Sequence, residues 1–137
     1  MDVFELPFNQ FVGIEPSPDN EYLLFLNEKD IYHNHLKTVH ASAQFALAEA
    51  TSGFFLISQF RELTNIFPVV RKVEIKYKKP AQGCLYSKAG FIGTERERII
   101  KELNERKRVL ISVRVLLYDS GGNNVMQADF EWFLAMK

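Results

Sequence analysis

Hydrophobic and polar residues follow two different rhythms along this chain. From Ala41 to Phe60 the sequence is rich in Ala, Leu and Phe and holds a single formal charge, Glu49. That composition predicts a helix buried on most sides, fading by Asn65 and stopped by Pro68. Further on, Val73, Ile75 and Tyr77 alternate with Lys72, Glu74, Lys76 and Lys78, the period of a half-buried strand. Pro80-Ala81-Gln82-Gly83 turns the chain into a second strand from Cys84 to Ile92. Thr94-Glu95-Arg96-Glu97 has the spacing of a capping box. It opens an amphipathic helix to about Lys107, with Ile99, Ile100 and Leu103 on one face. Val109 to Tyr118 and Val125 to Ala135 predict two more strands, joined by a hairpin loop at Asp119-Ser120-Gly121-Gly122-Asn123-Asn124.

The stretch before the long helix is less regular. Phe4, Leu6, Phe8, Phe11, Val12 and Ile14 form a short apolar segment. A turn follows at Pro16-Ser17-Pro18-Asp19-Asn20, then a strand from Glu21 to Leu26, then a polar stretch to Lys37. No repeat, low-complexity tract or linker divides the chain, so residues 1–137 are expected to form a single domain. One long buried helix followed by an antiparallel meander predicts an α+β fold with a curved sheet of four or five strands wrapped around the helix.

Composition narrows the function classes. Lys+Arg and Asp+Glu balance at 17 each, which argues against a nucleic-acid partner. A single cysteine, Cys84, excludes an internal disulfide and suits a reducing compartment. The opening Met-Asp-Val-Phe-Glu-Leu-Pro lacks a basic start and an apolar stretch, so no signal peptide is expected. The long helix has about the length of a membrane span, but its central carboxylate opposes that reading. The expectation is a cytoplasmic protein with no membrane partner.

Glu49 is the candidate for chemistry. On a helix its neighbours three and four residues away are Phe45, Ala46, Ser52 and Gly53, none of which can neutralise it. Either Ser or Thr hydroxyls or a partner subunit satisfy the carboxylate, or it is placed for a reaction. His33, His35 and His40 do not form a recognised metal pattern with it, and no metal is expected. No Gly-x-Ser-x-Gly elbow supports a serine triad.

The segment Asn34-His35-Leu36-Lys37-Thr38-Val39-His40-Ala41-Ser42 leading to Glu49 resembles the signature of the hotdog-fold acyl-CoA thioesterases of the phenylacetate-degradation type. That family shows an Asn, a His six residues later, and an Asp or Glu nine residues after the His. Asn34, His40 and Glu49 hold both spacings. Tyr77-Lys78-Lys79-Pro80-Ala81-Gln82-Gly83 resembles the family's Tyr-x-x-Pro-Ala-x-Gly, and Asp119-Ser120-Gly121-Gly122 its Asp-x-x-Gly turn. The likeness runs from about Glu21 to Lys137 and is greatest for an uncharacterised thioesterase-like branch with an extra helix before the last strands. Three positions depart from the pattern. Ala41-Ser42 replace paired glycines, Lys37 replaces the usual Gly, and Val70 stands where several relatives carry a Ser or Thr that orients water.

The resemblance implies thioester hydrolysis on a hotdog fold. Glu49 would act as general base or nucleophile, and the N–H of Ala41 at the helix start as oxyanion donor. Asn34 and His40 would position water and carbonyl. No cofactor is implied beyond coenzyme A as part of the substrate. The basic stretch Arg71-Lys72, Lys76, Lys78-Lys79 could meet CoA phosphates, although interleaving with Glu74 favours a solvated strand face. The abundance of Phe, 12 residues, hints at a medium or longer acyl chain.

On an ideal helix His40 and Glu49 lie about 13 Å apart along the axis and on opposite sides. The implied site therefore joins Asn34 and His40 of one chain to Glu49 of another, in a homodimer or a homotetrameric dimer of dimers. A non-catalytic acyl-CoA-binding protein is the alternative, motivated by Ala41-Ser42 and Val70. A hydratase on the same fold would need an Asp-x-x-x-x-His pair, matched only weakly by Asp30 and His35.

Overall fold

The computed structural model describes residues 1–137. A 3-10 turn at Val3–Glu5 leads into a short helix α1 (Pro7–Val12) and strands β1 (Ile14–Pro16) and β2 (Leu24–Leu26). A second 3-10 turn (Asp30–Tyr32) precedes the long helix α2 (Ala41–Gln59). Then follow β3 (Ile66–Tyr77), β4 (Leu85–Ile92), α3 (Arg96–Arg106), β5 (Arg108–Tyr118) and β6 (Asn124–Met136). The strands form one six-stranded sheet in the order β1-β2-β4-β5-β6-β3, and every pairing is antiparallel.

The sheet curls around α2, with a single core of 26 buried residues between them. Leu47, Ala48, Ala50 and Leu56 of the helix meet Val113, Val115, Leu117, Ala128 and Phe130 of the sheet, all of them buried. Alanines on the helix let the curved sheet approach closely, while each large side chain contributes about 1.5–3 kcal/mol of burial. Polar contacts also join the helix to the sheet within this core. The Thr51 hydroxyl lies 2.7 Å from Ser87 Oγ, which accepts the Leu24 N–H at 3.1 Å.

Several expectations need correction. The central helix ends at Gln59, with Phe60 as its cap, inside the expected limit at Asn65. Pro68 does not stop a helix; it lies inside β3, opposite Leu134. β3 has only β6 as a neighbour, and an edge strand tolerates a residue without an N–H. β3 therefore begins at Ile66, six residues before the alternation at Lys72 makes it visible. The sheet has six strands because Ile14–Pro16 adds one, whereas the expected Glu21–Leu26 strand shortens to Leu24–Leu26.

The capping box at Thr94 does not form. Glu95 is the N-cap of α3 and makes no side-chain cap bond. Instead Arg96 donates to the Gln59 carbonyl at 2.7 Å and pairs with Glu62, tying the start of α3 to the end of α2. No helix is long and apolar enough to cross a membrane.

Candidate active site

Two groups of residues stand apart on α2. The first surrounds Glu49 at mid-helix, in a cavity of about 260 Å³ walled by Leu6, Asn9, Gly53, Val70 and Trp132 among others. Glu49 is half-buried. None of the four ion pairs in the protein includes it, and no hydrogen bond reaches its carboxylate. Burial alone raises its pKa above the ordinary carboxylate value, because the charged form loses solvation that nothing replaces.

Nearby hydroxyls are directed elsewhere. Ser52 Oγ donates to the Glu49 backbone carbonyl at 2.8 Å and accepts from Trp132 Nε1 at 3.3 Å. Val70 lines the cavity, so the position where the resemblance points to a Ser or Thr presents only a hydrocarbon.

The second group lies at the helix start. His33 and Val39 are bridged, and Asn34 closes the loop between them. Its Oδ1 accepts the N–H groups of Leu36 and Thr38 at 2.9 and 3.1 Å, and its Nδ2 donates to Thr38 Oγ1 at 2.8 Å. The turn forces Lys37 to φ 60°, the left-handed region that favours glycine. The Val39 N–H donates to the Ala81 carbonyl and the His40 N–H to the Tyr32 carbonyl, both at 2.7 Å. The Pro80-Ala81-Gln82-Gly83 segment thereby fixes the chain as it enters α2.

His40 is the N-cap, and its Nδ1 accepts the Ser42 N–H at 2.9 Å. Accepting there leaves the ring proton on Nε2, at the exposed end of the side chain. Ala43 and Gln44 donate to the His40 carbonyl. The N–H of Ala41 alone among these first groups has no acceptor in the chain, and it points from the positive end of the helix dipole. The hydroxyl of Tyr77, at the end of β3, donates to the Ala41 carbonyl at 3.3 Å.

Asn34, His40 and Ala41 thus gather at one end of α2, while Glu49 lies about 13 Å further along the axis. A single chain does not bring all four to one reacting atom. Two residues of the Glu49 cavity carry no advance signal in the sequence. Asn9 is buried and donates to the Val3 carbonyl at 2.9 Å, although it sits between Phe8 and Gln10 with no motif around it. Trp132 reads only as an inward position on a strand. The basic residues Lys72 and Lys76 alternate with Glu74 on the outer face of β3, near Asp129 and Glu131. No group of three or more His, Cys, Asp or Glu comes together to hold a metal ion.

A long helix wrapped by this antiparallel sheet is the hotdog fold, and solved structures share it. A Pseudomonas aeruginosa protein described as of unknown function and "Probable Thioesterase" matches with a TM-score of 0.82 and 23% identity, over 98% of this chain and 91% of that one. A Silicibacter pomeroyi thioesterase family protein matches with a TM-score of 0.75 and 12% identity, over 99% of this chain and 95% of the other. A Bacillus halodurans protein, solved with CoA, matches with a TM-score of 0.65 and 20% identity, over 81% and 69% of the two chains. The family model described as Domain of unknown function (DUF4442) matches residues 11–134, and the chain belongs to that family. No protein of curated function matches it.

Proposed function

We propose that the protein is an acyl-CoA thioesterase whose site is completed between two protomers. The observation that carries this reading is Glu49, an unpaired, half-buried carboxylate with a raised pKa in a mainly apolar cavity. Perturbed carboxylates without structural partners concentrate at reaction sites. The free Ala41 N–H supplies the complementary group, and similarity to a CoA-bound structure adds support.

In this reading Glu49 removes a proton from water as the oxygen attacks the thioester carbon. The Ala41 N–H and the Nε2–H of His40 receive the developing oxyanion, a contribution of about 3 kcal/mol per well-placed donor. The carbonyl then re-forms, the C–S bond breaks, and the thiolate recovers the proton from Glu49. Asn34 is engaged within its own turn, so its contribution is to hold the loop and to offer its second amide hydrogen.

The surface supports assembly of two copies. β3 presents an unpaired edge 12 residues long, and none of its side chains is fully buried. Around the two half-sites Leu6, Phe8, Phe11, Ile31, Leu36 and Tyr77 stand 37–85% exposed, apolar surface that a second copy would cover. Pairing two β3 edges would set the helix start of one protomer against Glu49 of the other.

The test is thiol release from a panel of acyl-CoA esters, with Asn34→Ala and Glu49→Ala subunits assayed separately and after mixing. Activity regained on mixing supports a shared site; full activity in a monomer would sink it. A non-catalytic acyl-CoA binder is favoured by one observation, the hydrocarbon wall at Val70. Acyl-CoA binding without any thiol release would establish that reading instead.

A further inference from the structure

We propose that the cleft beyond Glu49, between the C-terminal half of α2 and the N-terminal segment, holds a medium to long saturated acyl chain of about ten carbons or more. The inference rests on the thioesterase reading for the identity of the ligand and on independent geometry for its place. The cleft has a volume of about 650 Å³ and a mainly apolar lining that includes Phe4, Phe54, Ile57 and Leu63. Ligand pockets usually span ~300–1,000 Å³ and are lined this way.

The cleft borders the Glu49 cavity, with Met1, Val3 and Pro68 lining both. Glu49, Gly53 and Ile57 follow one another at four-residue intervals, a single stripe along α2. Gly53 keeps that stripe low, with Val3 and Trp132 lying just beyond where a side chain would begin.

The far wall is held in place. Asp2 accepts the Phe4 N–H at 2.9 Å, Asn9 fixes the Val3 carbonyl at 2.9 Å, and the Phe4 ring packs 5.6 Å from that of Phe54. In this proposal a chain running on from the thioester carbon beside Glu49 passes Val3, which packs over Gly53, to reach the apolar cleft. From Glu49 to Ile57 the helix advances ~12 Å. At ~1.25 Å of advance per C–C bond, that distance takes about ten carbons, and the cleft continues past it to Leu63 and Ile66.

Two measurements separate this inference from the reading it rests on. S-alkyl-CoA thioethers, which cannot be hydrolysed, are titrated calorimetrically from two to fourteen carbons. Binding should tighten about fourfold per methylene, equivalent to ~0.8 kcal/mol, up to about ten carbons. In parallel, kcat/KM is measured for the matching thioesters in the parent and in Ser58→Trp, which places an indole in the cleft. The ratio of kcat/KM for twelve-carbon to four-carbon substrates should fall at least thirtyfold.

Thr64→Trp, at the exposed rim of the same cleft, is the second variant should Ser58→Trp fail to fold, and it should lower the ratio in the same direction. Length-dependent binding without turnover would remove the thioesterase reading and leave the acyl cleft standing. Turnover with flat binding across the series, or an unchanged ratio in a folded variant, would overturn the cleft.

Discussion

Replacing Glu49 with Gln should stabilise the protein and silence it together. Gln keeps the side chain's size and removes its charge. Burial is the sole cause that raises the Glu49 pKa, and no cation lies within ion-pair distance. The ionised carboxylate therefore costs the folded state free energy that the unfolded chain does not lose. Because the folded pKa exceeds the unfolded one, the penalty is absent at pH values below both, where both states are protonated. It develops as pH rises through the folded pKa and is complete above it.

Removing such a strained functional group typically adds ~0.5–2 kcal/mol. Glu49 retains some solvent contact, so the lower half of that range applies, about 1 kcal/mol, or ~3–5 °C in Tm for a chain of this size. Loss of the proposed general base should lower kcat by ~10²–10⁴. Thermal melts at pH 4 and 7.5, with thiol-release assays at the higher pH, measure both effects. A Tm advantage confined to the higher pH supports the argument. A variant less stable at pH 7.5, or a gap that widens toward acid, would show that the fold satisfies the carboxylate; unchanged thiol release would remove it from the chemistry.

Other substitutions probe the supporting structure. Lys37→Gly should stabilise the Asn34 loop by about 0.5–1 kcal/mol in urea unfolding, since Lys37 sits at φ 60°, where a Cβ is strained; a loss of stability would contradict that. Ser87→Ala removes the side-chain acceptor of the buried Leu24 N–H, while Thr51 keeps its bond to the Leu47 carbonyl, and should cost ~1–3 kcal/mol in the same assay. His40→Ala removes the cap on the Ser42 N–H, costing about 1 kcal/mol of stability. It should also lower kcat/KM, and an unaltered kcat/KM would leave His40 with the cap alone.

Legibility of the fold varied with how local its determinants are. The helix around Leu47 and Leu56 follows from its nearly uncharged, Ala-, Leu- and Phe-rich composition, and the strand after Lys72 from alternation, because burial repeats along it. Pro68 misleads, since a proline that ends a helix and one that sits on a sheet edge look alike until the neighbouring strand is known. Thr94 misleads for a related reason. A contact from Arg96 to the Gln59 carbonyl, between residues 37 apart, sets the start of α3 and overrides the local capping box.

At the candidate site, Glu49 shows itself as the only charge in an apolar run, and Asn34 and His40 by their spacing from it. Asn9 is invisible because its importance arises only when α1 folds back over α2. β1 and β2 have three residues each, too few to display a period.

Strand β3 links assembly and chemistry. Its first half places Pro68 and Val70 in the wall of the Glu49 cavity. Its last residue, Tyr77, reaches the start of α2 through the Ala41 carbonyl. Its outer edge is the long run of unpaired backbone on the sheet. The strand that borders both groups of residues is therefore also the one with an open edge, and covering that edge in the manner proposed would close the proposed site. A separation of about 13 Å between His40 and Glu49 along one helix prevents an isolated chain from assembling these groups. Placing the carboxylate and the oxyanion donor on different subunits would make formation of the interface a condition for thioester hydrolysis.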